Sequence, residues 1–424
     1  MKFIVNKSNL SGNVSIPGSK SHTIRALAFA LLAKGESIIE QPLYSADTAS
    51  CLSMIEQLGA RIKKEDKLWR INGVAGTIPV PSNVVDVGNS GTSLYIGIGL
   101  AALIHGSTVF TGDAQIRNRS ADNLLVAINH LGGRAFSTRG NGKPPIVVSG
   151  PMTGGGTELD AVTSQYLTSL LIALPCAKRD SIIGISKLNE QPYVDMTLKW
   201  MEKLGVYCEN RDYRQFFIKG SQQYTSFREV IPADFSSATF FLTAAAITGS
   251  EIVLEGLDFN DVQGDSEVVN ILQEMGASVK IDKTLLTIKG GQLKGGTFDL
   301  NGIPDALPSL AVAACFAEGE TRLVNVAQAR LKETDRISVM CAELSKLGAR
   351  IRELPDGLVI NGGALKGGKV HGYGDHRVVM ALSVAGLATD GQLEVDTAES
   401  SAITFPGFFD LMKSIGANIE KRDN

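Results

Sequence analysis

The side chains with the most chemical potential stand where apolar, helix-like segments begin. Six such starts recur along the chain, near Ser21, Ser90, Ser164, Ser236, Asp305 and His376. Hydroxyl and carboxylate side chains are good helix N-caps, and a helix N-terminus also binds anions through its free N–H groups. Most starts therefore permit two interpretations, a structural cap or part of an anion site, and we interpret Asp234 at the fourth start mainly as a cap.

Two of these starts carry groups that capping does not explain. Arg25 stands one turn inside an otherwise apolar segment, and a buried charge needs an anion partner or exposure to water. The triplet Asp375–Arg377 precedes the apolar run Val378–Ala381, where charged groups usually pair with each other or with a ligand. The pattern favours phosphorylated or carboxylated small molecules and proton-transfer chemistry.

Two charge-rich clusters lie outside the six starts. The run Lys332–Arg336 is typical of an exposed, salt-bridged helix start, the default interpretation of such a run. Arg117 and Arg119 belong to a segment predicted as a loop, where basic side chains are usually solvated. The residue pattern alone assigns no function to either cluster.

The elements that must position these groups repeat six times. A helix-like stretch ending in an apolar residue and glycine recurs, with the glycines at Gly59, Gly132, Gly205, Gly276, Gly348 and Gly416. Each glycine suits the left-handed position that ends a helix, and strand-like alternation follows it. The spacing of 68 to 73 residues predicts six βαβαββ units.

Three units per globular domain are the natural division of the 424 residues. The period is longer than in usual solenoid repeats, which favours closed domains over an open array. We predict a first domain over residues 19–231 and a second over residues 1–18 and 232–424, with the first residues completing a sheet of the second domain. The expected fold class is α/β (α+β).

The composition limits the function classes. Lys and Arg number 41 against 44 Asp and Glu, so the net charge is −3, and the basic excess of a nucleic-acid binder is missing. Five dispersed Cys suggest reduced thiols in a reducing compartment. Neither a signal-like apolar stretch nor an apolar run of about 18 residues occurs. We expect a soluble cytoplasmic protein without a nucleic-acid or membrane partner.

Standard cofactor and metal motifs are also missing from the sequence. It contains no ATP-binding GxxxxGK[ST] loop, no GxGxxG fingerprint after a strand, and no zinc-ligand spacing. The remaining candidates are Lys, Arg, Glu, Asp and His side chains. We therefore expect a site that uses no cofactor and no metal.

Four motifs together resemble one known family. Pro17–Ser21, Asn89–Thr92, Lys332–Arg336 and Asp375–Arg377, in this order and spacing, are similar to the 5-enolpyruvylshikimate-3-phosphate synthase family. The resemblance covers essentially the whole chain. It implies a two-domain, inside-out α/β barrel-like fold with three βαβαββ repeats per domain and an active site in the interdomain cleft. It also implies a monomer.

The resemblance implies a carboxyvinyl transfer in the shikimate pathway, which leads to chorismate and the aromatic amino acids. The enolpyruvyl group of phosphoenolpyruvate moves to the 5-hydroxyl of shikimate 3-phosphate by addition and elimination through a tetrahedral intermediate. C3 of phosphoenolpyruvate gains a proton, the hydroxyl loses one, and inorganic phosphate leaves. Both substrates are anionic, so cations must gather around them.

The resemblance also assigns residues to roles. The residues expected to bind phosphoenolpyruvate are Lys20, Gly91, Arg119, Gln165, Arg336 and Arg377. Those expected to bind shikimate 3-phosphate are Lys20, Ser21, Arg25, Thr163, Ser164, Gln165, Tyr193, Asp305, Gln328 and Lys332. Asp305 would accept the hydroxyl proton. Lys20 and Glu333 are both candidates for proton transfer at C3.

Three residues depart from the family pattern. Glu190 stands where many members have Ser near the substrate phosphate, so we expect this loop to shift or Asn189 to substitute. Ile403 and Tyr95 stand where some members have Lys and Arg. Losing these cations would weaken phosphoenolpyruvate binding or inhibition by glyphosate, which competes for that subsite in the family.

Three rival functions deserve comparison. UDP-N-acetylglucosamine 1-carboxyvinyltransferases share the fold and the donor, but typically carry a Cys in the loop that corresponds to Gly112–Arg119, and Lys-Asn where this chain has Lys20-Ser21. RNA 3′-terminal phosphate cyclases are related in fold, but the net charge of −3 speaks against an RNA partner. A catalytically inactive binding relative is disfavoured, because the charged residues of the motifs are retained together.

Overall fold

The computed structural model describes residues 1–423 and divides into two compact units. The first unit is Gly18–Ile231, and the second unit combines Met1–Pro17 with Pro232–Asn424. Each unit contains three four-stranded sheets and six α-helices within the described residues. No helix of residues 1–423 has the length and apolar character needed to cross a membrane.

Strands and helices alternate along the chain. The strands are β1 (Lys2–Asn6), β2 (Ser11–Ser15), β3 (Glu36–Glu40), β4 (Arg61–Glu65), β5 (Leu68–Asn72), β6 (Val85–Asp86), β7 (Ser107–Thr111), β8 (Arg134–Ser137), β9 (Ile146–Ser149), β10 (Gly155–Ala161), β11 (Ser181–Leu188), β12 (Cys208–Arg211), β13 (Gln215–Ile218), β14 (Arg228–Val230), β15 (Glu251–Glu255), β16 (Ser278–Asp282), β17 (Leu285–Lys289), β18 (Thr297–Asp299), β19 (Glu320–Val324), β20 (Arg350–Leu354), β21 (Gly357–Asn361), β22 (Lys366–Val370), β23 (Asp390–Val395) and β24 (Asn418–Arg422). The helices are α1 (Lys20–Leu32), α2 (Ala46–Gln57), α3 (Gly91–Ala101), α4 (Asp122–His130), α5 (Ser164–Ala173), α6 (Gln191–Lys203), α7 (Phe235–Thr248), α8 (Glu267–Met275), α9 (Leu307–Cys315), α10 (Arg336–Lys346), α11 (His376–Gly386) and α12 (Phe408–Ser414).

All six sheets share one strand order, which confirms the predicted α/β class built from six repeated units. In the sheet β10–β11–β13–β12, the first two strands are parallel and the other neighbours are antiparallel. The same order recurs in β14–β3–β5–β4 and β6–β7–β9–β8 of the first unit. In the second unit it recurs in β2–β15–β17–β16, β18–β19–β21–β20 and β22–β23–β1–β24.

The N-terminal segment completes two sheets of the second unit. Strand β1 lies between β23 and β24 and is antiparallel to both. Strand β2 pairs in parallel with β15. The expectation that the first residues add to a sheet of this unit is met twice, because each strand supplies a position that a repeat would otherwise lack.

The first helix of each repeat is buried. All residues of α7 from Phe235 to Ala246 are buried, and so is every residue of α11. In the second unit α7, α9 and α11 pack against one another, and in the first unit α3 packs against α1 and α5. The polar residues at the starts of these helices are therefore carried by helices that are closely packed against their neighbours.

The six repeats end their second helix in the same way. Gly59, Gly132, Gly205, Gly276, Gly348 and Gly416 all have positive φ angles, between 69° and 117°. A side chain at such a position would strain the backbone, so glycine is the residue that lets the chain turn from helix to strand. The predicted helix-ending role of these glycines is confirmed.

Candidate active site

In the first unit, Lys20 opens α1 and has an acidic neighbour. The Ser19 hydroxyl caps this helix by accepting from the backbone N–H of His22. The Nζ atom of Lys20 lies 3.4 Å from Oδ2 of Asp47, a residue in the first turn of α2. Both side chains are largely buried. The ammonium group is therefore held at the helix start rather than moving freely in water.

Arg25 is buried in α1, with 2% of its surface exposed, and neutral oxygen atoms hold it. Its Nε donates to Oγ1 of Thr197 at 2.9 Å, and its Nη groups donate to the carbonyls of Ser21 at 3.1 Å and Tyr193 at 2.7 Å. Burial lowers the pKa of the guanidinium to about 10. The hydrogen bonds of this cation thus go to hydroxyl and carbonyl dipoles, which leaves its positive charge available to an anion.

Arg119 packs against the start of α3. This helix begins at Gly91 after the cap residue Ser90. A Cβ atom at Gly91 would overlap Nη1 of Arg119, so glycine is required for the guanidinium to lie against the helix. Arg119 is buried, and the interpretation as a solvated loop residue is wrong for it. It does hold for the exposed Arg117.

Tyr95, one of the departures from the family pattern, anchors the loop that follows Arg119. The hydroxyls of Tyr95 and Tyr166 both donate to the carbonyl of Ser120, at 2.9 and 2.7 Å. The two rings meet edge to face with centroids 5.0 Å apart. Burial raises the pKa of Tyr166, so its hydroxyl stays protonated and remains a donor. Tyr95 thus supports the loop backbone instead of presenting a cation.

The start of α5 holds the carboxylate of Glu190. Thr163 is the cap residue and Ser164 the first residue of this helix. Oε2 of Glu190 accepts from Oγ1 of Thr163 at 2.9 Å, and from N and Oγ of Ser164 at 3.1 and 2.8 Å. The amide of Asn189 donates elsewhere, to the carbonyl of Val162 at 3.0 Å. Glu190 therefore occupies this cluster of donors, and the substitution of Asn189 near a substrate phosphate stays a prediction.

Gln165 and Tyr193 lie next to this cluster along the chain. Gln165 is the second residue of α5, and its Oε1 atom has no hydrogen-bond partner within the described part of the chain. Tyr193 lies in the first turn of α6, and its N–H donates to the carbonyl of Glu190 at 3.1 Å. Because the carbonyl of Tyr193 also accepts from Arg25, this turn links the starts of α1, α5 and α6.

In the second unit, Arg336 is the centre of a charged cluster. It opens α10 and is 1% exposed, so the prediction of an exposed helix start is wrong at this residue. Its Nη1 lies 2.8 Å from Oδ1 of Asp305, Nη2 lies 2.5 Å from Oε2 of Glu333, and Nε lies 2.9 Å from Oδ2 of Asp375. Burial alone would lower the pKa of Arg336, but the three carboxylates outweigh burial and raise it.

Asp305 joins a second guanidinium to this cluster. Its Oδ2 lies 2.9 Å from Nη2 of Arg377, while its Oδ1 contacts Arg336. Asp305 belongs to a short 3-10 helix, Pro304–Ala306, and the cap position of α9 is taken by Ala306. Two cations therefore hold and orient this carboxylate, which favours the functional interpretation of Asp305 over the capping one.

Asp234 also departs from the capping interpretation. It stands at the cap position of α7, but no side-chain capping hydrogen bond forms. Instead its Oδ2 accepts from the hydroxyls of Ser236 at 2.9 Å and Ser237 at 2.7 Å. The Ser236 hydroxyl in turn accepts from Nη2 of Arg377 at 3.1 Å. Asp234 thus orients a hydroxyl that contacts the charged cluster.

His376 lies inside the same cluster as a neutral group. Asp375 caps α11 by accepting from the N–H of Arg377 at 2.9 Å, and accepts from Oγ1 of Thr334 at 3.1 Å. Neither ring nitrogen of His376 has a hydrogen-bond partner among residues 1–423. Burial lowers the pKa of His376 to about 3, so the ring carries no charge near neutral pH.

The remaining candidate residues of the second unit lie on short helices. Gln328 belongs to the 3-10 helix Ala327–Leu331, which contacts the helix that carries Asp305, and its Nε2 donates to the carbonyl of Asn301 at 3.0 Å. Lys332 directly follows that short helix. Ile403 ends the 3-10 helix Ala398–Ile403 and is half-buried, so no cation stands at its position.

Sequence reasoning missed two residues that hold the candidate groups in place. The sequence pattern does not single out Asp47, and only Ser45, a good N-cap residue, indicates a helix start there. The signal places Asp47 in a first turn, but its contact with Lys20 depends on how α1 packs against α2. Ser236 belongs to a segment that the sequence pattern assigns mainly to capping, and nothing in the sequence indicates its contact with Arg377.

The two units offer different chemistry. The first unit presents Lys20, Arg25 and Arg119 near helix starts, and groups of this kind bind phosphate and carboxylate. The second unit presents Asp305 and Glu333, two carboxylates held by buried guanidinium groups. Such carboxylates can accept or donate protons at fixed positions, and guanidinium groups of this kind can bind an anionic reactant.

Known proteins match this chain over its whole length. The family model described as EPSP synthase (3-phosphoshikimate 1-carboxyvinyltransferase) matches residues 4–412. A relative named 3-phosphoshikimate 1-carboxyvinyltransferase from Acetivibrio thermocellus is 56% identical over 419 residues, which is 99% of each chain. A relative of the same name from Ruminiclostridium cellulolyticum is 55% identical and covers 98% of this chain and 99% of its own.

Solved structures of EPSP synthase also match. The structure of EPSP synthase from Acinetobacter baumannii has a TM-score of 0.83 to this chain at 28% identity, and 99% of both chains is covered. The similarity therefore holds for the fold as well as for the sequence, and it extends through both units.

Proposed function

This chain belongs to the EPSP synthase family, and we propose that the residues described above carry out the reaction of that family. The reaction transfers the carboxyvinyl group of phosphoenolpyruvate to the 5-hydroxyl of shikimate 3-phosphate, a step of the shikimate pathway. The charged cluster around Arg336 in the second unit supports this assignment of residues most strongly. There Asp305 and Glu333 are both held by the guanidinium of the buried Arg336.

The binding roles follow from the charges at the helix starts. A buried guanidinium and hydroxyls at a helix N-terminus suit a phosphate group. The shikimate 3-phosphate is therefore held by Arg25, Ser21, Thr163 and Ser164. Tyr193 positions Arg25 through its carbonyl. Lys332, Gln328 and Gln165 complete this set as family resemblance assigns them.

Phosphoenolpyruvate binds to the guanidinium groups. Arg119 at the start of α3 and Arg336 and Arg377 at the starts of α10 and α11 supply forks that match carboxylate and phosphate. Gly91 is required because its missing side chain makes room for Arg119. An anion that binds Arg377 competes with Asp305, which makes Asp305 available to the acceptor hydroxyl.

The proton transfers belong to three residues. Asp305 accepts the proton of the 5-hydroxyl as that oxygen attacks C2 of phosphoenolpyruvate. Lys20 and Glu333 both suit proton transfer at C3, because each is largely buried and has a charged partner that fixes its position. Elimination then removes a methyl proton and inorganic phosphate. Buried dipoles stabilise the charge that develops, since they do not need to reorganise.

The proposed reaction requires residues from both units of the chain. Lys20 and Arg25 belong to the first unit, whereas Asp305, Glu333 and Arg377 belong to the second. Neither unit carries the full set for binding and proton transfer. Turnover should therefore be lost when either set is removed from an otherwise intact chain.

The experiment that tests the function measures phosphate release from phosphoenolpyruvate in parallel reactions. One reaction contains shikimate 3-phosphate and the other UDP-N-acetylglucosamine. We expect turnover only with shikimate 3-phosphate, and a loss of turnover in Lys20→Met. Turnover only with the nucleotide sugar would assign the chain to the rival carboxyvinyl transfer. Silence in both reactions, with binding still detectable by calorimetry, would favour an inactive binding relative.

We further propose that the protein acts as a cytoplasmic monomer. The five cysteines are free thiols, which suits a reducing compartment. Light scattering coupled to size exclusion should give the mass of one 45.0 kDa chain. A mass of twice that value at micromolar concentration would contradict the monomer.

A further inference from the structure

The side chain of Glu190 accepts three hydrogen bonds from the start of a different helix, α5. It stands before α6 at the cap position, yet its side chain makes no cap there. Its Oε2 atom instead accepts from the hydroxyl of Thr163 and from the N–H and hydroxyl of Ser164, all within 3.1 Å. These donors form the start of α5, where the helix dipole attracts negative charge.

The chain keeps Glu190 in this position against a backbone preference. Its φ and ψ angles are 60° and 41°. These angles lie in the left-handed region, which residues other than glycine and asparagine rarely adopt. Glu190 is also only 1% exposed, and burying a carboxylate costs free energy unless partners compensate for its lost hydration. The hydrogen bonds at the start of α5 offset part of both costs, and three converging donors at a helix N-terminus suit an anion.

The same donors are those that the proposed function assigns to a substrate phosphate. Thr163 and Ser164 cannot serve Glu190 and a phosphate together, because both anions need the same hydroxyl and N–H hydrogen atoms. Two negative groups in one buried place would also repel each other. One anion must therefore leave when the other arrives.

We propose that the carboxylate of Glu190 is an internal anion that fills the phosphate subsite at the start of α5, and that the phosphate of the substrate binds in exchange for it. This inference rests on the proposed function. The exchange lowers the affinity for a phosphorylated substrate, since the protein must first release its own carboxylate. It does not affect a ligand that lacks the phosphate and leaves Glu190 in place.

The exchange also links the phosphate to the buried cation of α1. The carbonyl of Glu190 accepts from the N–H of Tyr193, and the carbonyl of Tyr193 accepts from Arg25. Release of the Glu190 side chain frees this turn to adjust. The arriving phosphate then gains the three donors of α5 and the charge of Arg25 together.

The test compares affinities for shikimate 3-phosphate and shikimate, which differ only in the phosphate. Calorimetry is run on the full chain and on Glu190→Ser and Glu190→Gln. We expect Glu190→Ser to bind shikimate 3-phosphate about 10- to 100-fold more tightly, the size of one charge-assisted hydrogen bond, with the affinity for shikimate unchanged. Glu190→Gln, which keeps the shape without the charge, should show a smaller gain in the same direction.

A matched control removes a carboxylate from the same helix. Glu202 is an exposed residue of α6, so Glu202→Gln changes the net charge equally without touching α5. We expect its affinities to equal those of the unmodified chain. An equal gain in Glu202→Gln would overturn the exchange and assign the effect to general electrostatics. Unchanged or weaker binding of shikimate 3-phosphate in both Glu190 variants would overturn it as well.

A further variant separates this inference from the proposed function. The double change of Thr163→Ala and Ser164→Ala removes both hydroxyls of the subsite. If it leaves the affinity for shikimate 3-phosphate unchanged, the assignment of these residues to the phosphate is wrong and the exchange is wrong with it. If it weakens binding while the Glu190 variants bring no gain, only the exchange is wrong.

Discussion

Arg25 in the first unit and Arg336 in the second are equally buried, yet their surroundings are opposite. Arg25 donates to hydroxyl and carbonyl oxygens, and burial lowers its pKa to about 10. Arg336 contacts three carboxylates, whose charges raise its pKa in spite of burial. The difference lies in the partners that the fold supplies and not in the depth of burial.

This contrast teaches how the two units divide the work. A buried cation with only neutral partners is costly to keep, and it gains most when an anionic ligand arrives. A buried cation paired with several carboxylates fixes their positions, and its removal would leave uncompensated buried charges. Under the proposed function, the first unit contributes mainly cations that bind anions, and the second contributes the carboxylates that react together with the guanidinium groups of Arg336 and Arg377.

The largest expected effect concerns the reacting carboxylates. Asp305→Asn and Glu333→Gln keep the shape of the cluster but remove the proton acceptor or donor, so kcat should fall by about 10²–10⁴-fold. The kcat of Lys20→Met should fall by a similar factor, since Lys20 is the candidate proton donor of the first unit. Steady-state assays of phosphate release measure this. A Glu333→Gln variant with unchanged kcat would leave Lys20 as the sole candidate at C3.

Stability should separate the two arginines most directly. Arg336→Met leaves three buried carboxylates without their shared partner and should cost about 3–5 kcal/mol of unfolding free energy. Arg25→Met removes a buried charge that neutral oxygens hold, and the change should stay within about 1 kcal/mol. Urea unfolding followed by fluorescence compares the two variants. Equal losses in both would erase the contrast between the units.

Substitution of an arginine in either unit should weaken the binding of one substrate and not the other, with a smaller effect than on kcat or stability. Arg25→Ala should raise KM for shikimate 3-phosphate by about 10- to 100-fold and leave KM for phosphoenolpyruvate nearly unchanged, as expected for lost charge-assisted hydrogen bonds. Arg377→Ala should do the reverse. Arg322 is a half-buried arginine paired with Glu320, and Arg322→Ala serves as the control without effect. If both KM values rise together in either variant, that arginine does not act on one substrate.

The smallest expected effect is the pH dependence that His376 adds to the second unit. Burial lowers its pKa to about 3 from a value of 6.5 in the unfolded chain. Between these values the unfolded chain binds a proton that the folded chain does not, so stability falls as the pH is lowered from 6.5 towards 3. At pH 5 this loss amounts to about 2 kcal/mol.

Replacing this histidine should flatten the acid side of the stability curve. His376→Asn should lose less stability than the unmodified chain between pH 7 and pH 5, as measured by urea unfolding at both values. His105 is exposed, so His105→Asn should follow the unmodified chain. A His376→Asn curve that runs parallel to the unmodified one would mean that the ring is protonated in the folded state.

The repeat and the family were readable from the sequence because both depend on local patterns. A glycine after an apolar helix end reports a left-handed turn wherever it occurs, and all six glycines adopt positive φ. The motifs around Lys20, Lys332 and Asp375 are contiguous strings of residues. Such features need no knowledge of which segments meet in space.

The partners of the buried charges were not readable, because they come from distant parts of the chain. Asp305 and Asp375 meet Arg336 from 31 and 39 residues away, and Glu190 meets Ser164 from 26 residues away. Local rules therefore interpreted Lys332–Arg336 as an exposed charge run and Asp234 as a simple cap. Helix packing decides which polar groups share a buried space, and electrostatics in that space then decides their charge and role.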